Sequence, residues 1–241
     1  MLRNIKELYG NKLGASDGDI GHVKDFYFDD QTWVIRYVVA DTGSWLSGRL
    51  VLISPHAFGP IDQEGKTLLI NLTRKQIENS PAIESHKPVS RQYEVEYYRY
   101  YGWPAYWNGG AMWGMGGFPV VLPPSKDEME ALQKHHHRDD KHLQSTRAVN
   151  GYHIQTVDGT IGHVSGFLVD DKSWAIRKLV VEAGHWYSGK EILISPGKIE
   201  RISYEESKVF VKLTKAEIQR TEENEVAKTG AGNHRAESFR D

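Results

Sequence analysis

The sequence predicts a mainly β protein: two small β-barrels, each followed by a short helix, joined by an aromatic, Gly/Pro-rich connector that carries short helices of its own. Three observations lead there. A long internal repeat runs through the chain, short apolar stretches are closely punctuated by turn residues, and each copy ends on a helix-capping signature. Sliding the sequence by 141 residues aligns Gly10 to Ile77 with Gly151 to Ile218 without a gap, so Asp17, Gly18, Ile20, Gly21, His22 and Val23 return as Asp158, Gly159, Ile161, Gly162, His163 and Val164. Units so far apart are not a stacked solenoid, whose repeats recur every ~20–50 residues and touch directly. The chain therefore divides into a first copy at 2–80, a connector at 81–142, a second copy at 143–221 and a tail at 222–241.

Within the first copy, Asp17-Gly18 marks a tight turn, and Ile20, Val23, Phe26 and Phe28 form an imperfectly alternating strand. Asp29-Asp30-Gln31 makes the next turn. Trp33 to Ala40 is rich in β-branched and aromatic residues and reads as a second strand, with Arg36 on its solvent side. Arg49 to Ile53 follows, closed by Pro55, which cannot donate to a ladder. Shorter apolar stretches lie around Ile61 and from Leu68 to Leu72. Thr73 with Gln76, and Thr214 with Glu217, fit a capping box ahead of Ile77 and Ile218.

The D-G-x-I-G-x-V turn and strand, the Asp-Asp hairpin, the Trp-led strand, the W-x-S-G-[RK] turn and the L-I-S-P strand end together resemble the PRC-barrel family, named for the cytoplasmic domain of the photosynthetic reaction-centre H subunit. The resemblance covers both copies. It implies a small β-barrel used for protein contacts, with no catalytic residue common to the family and no cofactor.

Composition narrows the function classes. Thirty Lys+Arg balance 32 Asp+Glu, a formal charge of -2, so no basic footprint for nucleic acid is present. Zero Cys excludes disulfides, thiolate metal sites, iron–sulfur clusters and cysteine nucleophiles. No basic-then-apolar leader precedes Lys12, and a cytoplasmic location is the expectation. From Tyr100 to Ser125 no side chain is charged, yet six glycines and prolines such as Pro104 and Pro119 would break a membrane helix. That segment reads instead as a wrap over the barrels, with peripheral membrane contact or partner docking as alternatives. The connector's tyrosines at 93, 97, 98 and 101 predict a helix over 89–101, and Ser125 with Glu128 predicts a second. The polar tail is expected to be flexible.

The chain lacks G-x-S-x-G, P-loop, complete G-x-G-x-x-G and H-E-x-x-H patterns. The repeated Asp29/Asp30 and Asp170/Asp171 sit where hairpin turns need Asp, and His22/His163 recur at one strand position, where burial or a shared hydrogen bond fits as well as ligation, one ligand per copy being no metal site. His135, Asp139 and His142 fall at helical spacing and are the metal candidates, those of a rival metal-dependent hydrolase. Trp45 and Trp186, at the W-x-S-G turns, and Trp103, Tyr106, Trp107 and Trp113 of the connector are the candidate partner-binding residues. The expected function is a non-enzymatic adaptor or scaffold in a bacterial cell, at the cytoplasmic face of a membrane complex in one version. A soluble accessory of reaction-centre electron transfer is the other rival. Barrels this small bury little surface alone, so homo-oligomerisation or docking of the two barrels within the chain is expected.

Overall fold

The computed structural model describes residues 1–61, 66–80, 91–103, 142–184 and 189–220. The chain is mainly β and begins with β1 (Leu2–Asn4), β2 (Lys12–Ala15), β3 (Gly18–Asp29), β4 (Val34–Asp41), β5 (Leu50–Ile53), β6 (Phe58–Ile61) and β7 (Thr67–Ile70). Helices α1 (Arg74–Glu78) and α2 (Arg91–Tyr101) follow. The second half opens with β8 (Leu143–Ser145) and the short helix α3 (Thr146–Val149). It continues through β9 (His153–Thr156), β10 (Gly159–Asp170), β11 (Ile176–Ala183), β12 (Glu191–Ile194), β13 (Ile199–Ser203) and β14 (Lys208–Val211) into helical residues 215–220.

The strands form two seven-stranded sheets with matching orders, β5-β4-β3-β2-β7-β6 and β12-β11-β10-β9-β14-β13. In each, two hairpin-linked strands lie antiparallel, and β2 pairs parallel with β7 as β9 does with β14. The seventh strand of each sheet is exchanged. β1 opens the first copy but pairs with β10 of the second, and β8 opens the second copy but pairs with β3 of the first.

The imperfect alternation of the long strands has a local cause. In β10 the buried residues Ile161, Val164, Phe167 and Val169 are spaced by three, three and two, and the ladders shift between Thr160 and Gly162, between Val164 and Gly166, and between Leu168 and Val169. Each bulge inserts a residue and re-aims the side chains that follow, so an apolar face survives without strict period two. Ile20, Val23, Phe26 and Phe28 repeat the pattern in β3 and are all buried. Gly162 is required at its bulge: with φ at 155°, a Cβ there would lie 2.0 Å from the carbonyl oxygen of Glu182, and Gly21 stands in the same relation to Asp41.

Two sequence expectations need correction. Trp33 is a turn residue rather than the head of a strand: its φ of 57° lies in the left-handed region, and its N–H closes the turn on the Asp29 carbonyl at 2.7 Å. Arg36 is buried at 8% exposure rather than facing solvent, because Thr32 accepts from its guanidinium at 2.9 Å and Asp29 lies 4.0 Å away. The capping boxes are present at both Thr73/Gln76 and Thr214/Glu217, with Ile77 and Ile218 buried beneath them. Helix α2, Arg91–Tyr101, falls within the predicted 89–101, whose first two residues lie outside the described ones. The second connector helix, most of the Gly/Pro-rich segment and the tail lie outside the described residues.

The chain packs as two compact units. One gathers Met1–Tyr9, Asp25–Arg36 and the described residues from Gln144 onward; the other comprises Gly10–Lys24 and the described residues from Tyr37 to Leu143. In the first, Phe28 lies 5.4 Å from both Trp33 and Phe167, and Phe26 stacks on Trp174 at 6.0 Å. In the second, Leu13, Ile20, Tyr37, Leu52, Ile53 and Tyr97 are fully buried.

Candidate functional site

Helix α2 builds an aromatic corner in the second unit. Its i, i+3 and i+4 spacing turns Glu94, Tyr97 and Tyr98 inward, all at 3% exposure or less. The Tyr97 hydroxyl donates to the Leu52 carbonyl at 3.0 Å and accepts the Ser54 N–H at 3.0 Å, anchoring the helix to the end of β5. Glu94 accepts from the buried Tyr37 hydroxyl at 2.8 Å. These groups come from distant parts of the sequence, so their pairing carries no local signal; only the tyrosine spacing is visible in advance.

Gly102, at φ 69°, ends the helix in the left-handed conformation that suits glycine, and the Trp103 N–H returns to the Tyr98 carbonyl at 3.0 Å. Trp103 is thereby laid on Tyr101, 4.5 Å between ring centroids and 13° from parallel, and also stacks on His56 at 5.4 Å. Burial pushes the Tyr101 hydroxyl up to about 12. Beside these rings lies a cleft of about 390 Å³ lined by His56, Asn71, Gln76, Tyr100, Tyr101 and Trp103. It has an aromatic wall and an amide-bearing rim, a surface chemistry suited to contact.

Trp45 is half-buried, with the Arg74 guanidinium 4.6 Å above its ring. Trp45 and Trp103 are therefore two of the predicted contact residues that the structure places; Trp186, Tyr106, Trp107 and Trp113 lie outside the described residues. Of the metal candidates, His142 is exposed just before β8, whereas His135 and Asp139 lie outside the described residues. Among the described residues no three or more His, Asp or Glu side chains already converge as a ligand set.

The first carboxylate of each repeated pair holds a turn, while Asp30 accepts from Gln144 and Asp171 pairs with the Met1 ammonium and Arg3. Asp29 Oδ1 accepts from the N–H groups of Gln31 and Thr32, and Asp170 Oδ1 from those of Lys172 and Ser173, both at 2.9 Å. Those two backbone donors hold the Asp170 carboxyl down at about 2. Asp25, which the sequence reading passed over, caps α3: it accepts from the hydroxyls of Ser145 and Thr146 and from the Arg147 N–H at 3.1 Å. Burial raises its pKa, and the hydroxyl and N–H donors oppose that rise. Its counterpart in the second copy is Gly166, where a Cβ would meet the Asn4 side chain at 3.1 Å, so the shift by 141 residues hides the role. His22 and His163 are not buried: His22 is exposed, and the His163 side chain keeps 44% of its exposure.

No helix among the described residues is long and apolar enough to cross a membrane. No curated protein matches the chain. One family does match, over the segment that carries β2 to β7 and most of α1: the chain contains a PRC-barrel domain at residues 4–77.

Proposed function

We propose that this chain is a non-enzymatic tandem PRC-barrel protein that works by contact, as a protein-interaction adaptor or scaffold. In this reading the second sheet is a second copy of the domain matched at 4–77, and each sheet closes as a small barrel. The observation that carries the reading is the strand exchange. β1 extends the ladder of β10, and β8 that of β3, so each copy lends its leading strand to the other, the arrangement by which two separate chains would make a swapped pair.

Joining such a pair in one chain frees the copies to diverge. The first copy packs against α2 and its aromatic corner, and it holds Lys12 and Asp25 where the second holds His153 and Gly166. Two unlike surfaces on one linked pair suit a protein that brings two partners together. Asp29 and Asp170 are engaged in turns, Asp25 in a helix cap, and Asp171 in ion pairs with the Met1 ammonium and Arg3, which supports contact over catalysis.

Quantitative crosslinking capture with the full chain tests the proposal. Partners enriched over a control protein, and depleted by Trp45→Ala or Trp103→Ala at unchanged melting temperature, are the expected result. Capture no greater than the control, or indifferent to both substitutions, would refute the contact role.

A further inference from the structure

We propose that His153, His163 and Glu182 form a solvent-facing site for a divalent transition-metal ion on the outer face of the second sheet. The ladders set these residues side by side: His163 of β10 is the register partner of His153 on β9 and of Glu182 on β11. Directly opposed residues on adjacent antiparallel strands hold their Cβ atoms about 4.5–5.5 Å apart. All three lie outward, since their chain neighbours Tyr152, Ile154, Val164, Val181 and Ala183 are buried.

The juxtaposition follows from Gly162. The ladder shifts between Thr160 and Gly162, and only a residue without Cβ passes the Glu182 carbonyl there, so the bulge sets which side chain of β10 stands between His153 and Glu182. His163 Nε2 is 3.5 Å from Glu182 Oε2. Two ligands of one tetrahedral ion at ~2.0–2.1 Å stand roughly 3.4 Å apart, so this pair is already at bridging separation. His153 completes the set by a rotamer change that its exposure leaves open. Imidazole with one carboxylate suits Zn²⁺ or Cu²⁺.

The flanking charges fit the assignment. Lys208 is the register partner of His153 on β14, but its ammonium lies 3.9 Å from Glu206; Glu191, the partner of Glu182 on β12, adds a second carboxylate to that side. The first copy lacks the site, holding Lys12 opposite His22. Sequence reading paired His163 with His22 by the repeat; the strand register pairs it with His153.

The test uses the untagged full chain carrying His135→Asn, His136→Asn and His137→Asn, which removes the competing histidine run. Substoichiometric Cu²⁺ is expected to broaden the amide NMR signals of residues 152–154, 162–164 and 181–183, and calorimetry with Zn²⁺ to give one equivalent. His153→Lys, which reproduces the residue of the first copy, and His163→Asn should each weaken Zn²⁺ binding roughly tenfold or more while the amide spectrum stays folded. Broadening centred elsewhere, or Zn²⁺ affinity equal in parent and both variants, would overturn the proposal.

Discussion

Trp33 and Trp174, 141 residues apart, adopt the same left-handed backbone, φ 57° and 55°, and each carbonyl accepts the N–H of the residue two beyond the other: Ile176 to Trp33 at 2.7 Å and Ile35 to Trp174 at 2.9 Å. Equivalent hairpins of the two copies thus meet tip to tip about a local twofold relation, with Val34 and Ala175 forming the bridge between them. Two bulky residues in a sparsely populated conformation are sustained because both rings are buried, at 9% and 5% exposure.

Removing either ring should cost heavily. Trp174→Ala forfeits the stack on Phe26 and leaves a cavity, and about 3–5 kcal/mol is expected from urea unfolding of the unit it belongs to. A loss below about 1 kcal/mol would mean the hairpin junction contributes little.

The bulge glycines should be intolerant of a methyl group. Gly162→Ala and Gly21→Ala each place Cβ on a neighbouring backbone carbonyl at positive φ, and a loss of at least about 2 kcal/mol is expected. Gly197→Ala, with open space around it, serves as the control and should stay within about 0.5 kcal/mol. Equal thermal unfolding of all three variants would contradict the close approach.

Acid should remove the contribution of Asp170. Its folded pKa lies near 2, below the ordinary 3.8, so the unfolded chain binds more protons between those values. The stabilisation is present above about pH 4 and is lost as pH falls toward 2. Asp170→Asn keeps an acceptor but no titration, and its stability should fall less steeply across that window. Asp25 acts with the opposite sign, its pKa being raised by burial.

Asp25→Ala should destabilise by about 1–3 kcal/mol, since Ser145, Thr146 and the Arg147 N–H all lose an acceptor at the start of α3. Asp25→Asn, which retains one acceptor oxygen, should recover part of that loss in the same thermal melts.

The β class, most strand positions and both capping boxes were legible in the sequence because each depends on neighbours a few residues away: turn residues, β-branched runs, Thr followed three later by Gln or Glu. What was not legible depends on register and topology. Arg36 looked solvent-facing until Thr32 and Asp29 closed around it, and Trp33 looked like a strand until the turn demanded a left-handed residue. A repeat read by sliding matches each residue to its counterpart, whereas the fold matches β1 to β10, His153 to His163 and Asp25 to Ser145. Trp45 and Trp103 were visible as large aromatic residues in turn-rich settings; the rings stacked with them were not.

The absence of native cysteine makes the exchange of segments between the copies directly testable. Bridged antiparallel residues stand about 4.5–5.5 Å apart at Cα, within the span of a disulfide. In full-length Val34→Cys/Ala175→Cys protein, mild oxidation should consume both thiols in an intrachain bond, seen as a faster monomer band on a non-reducing gel and no free thiol in the native state. Two thiols that stay free, or that link only separate chains, would contradict the pairing of the two hairpins and with it the linked-pair account of this protein.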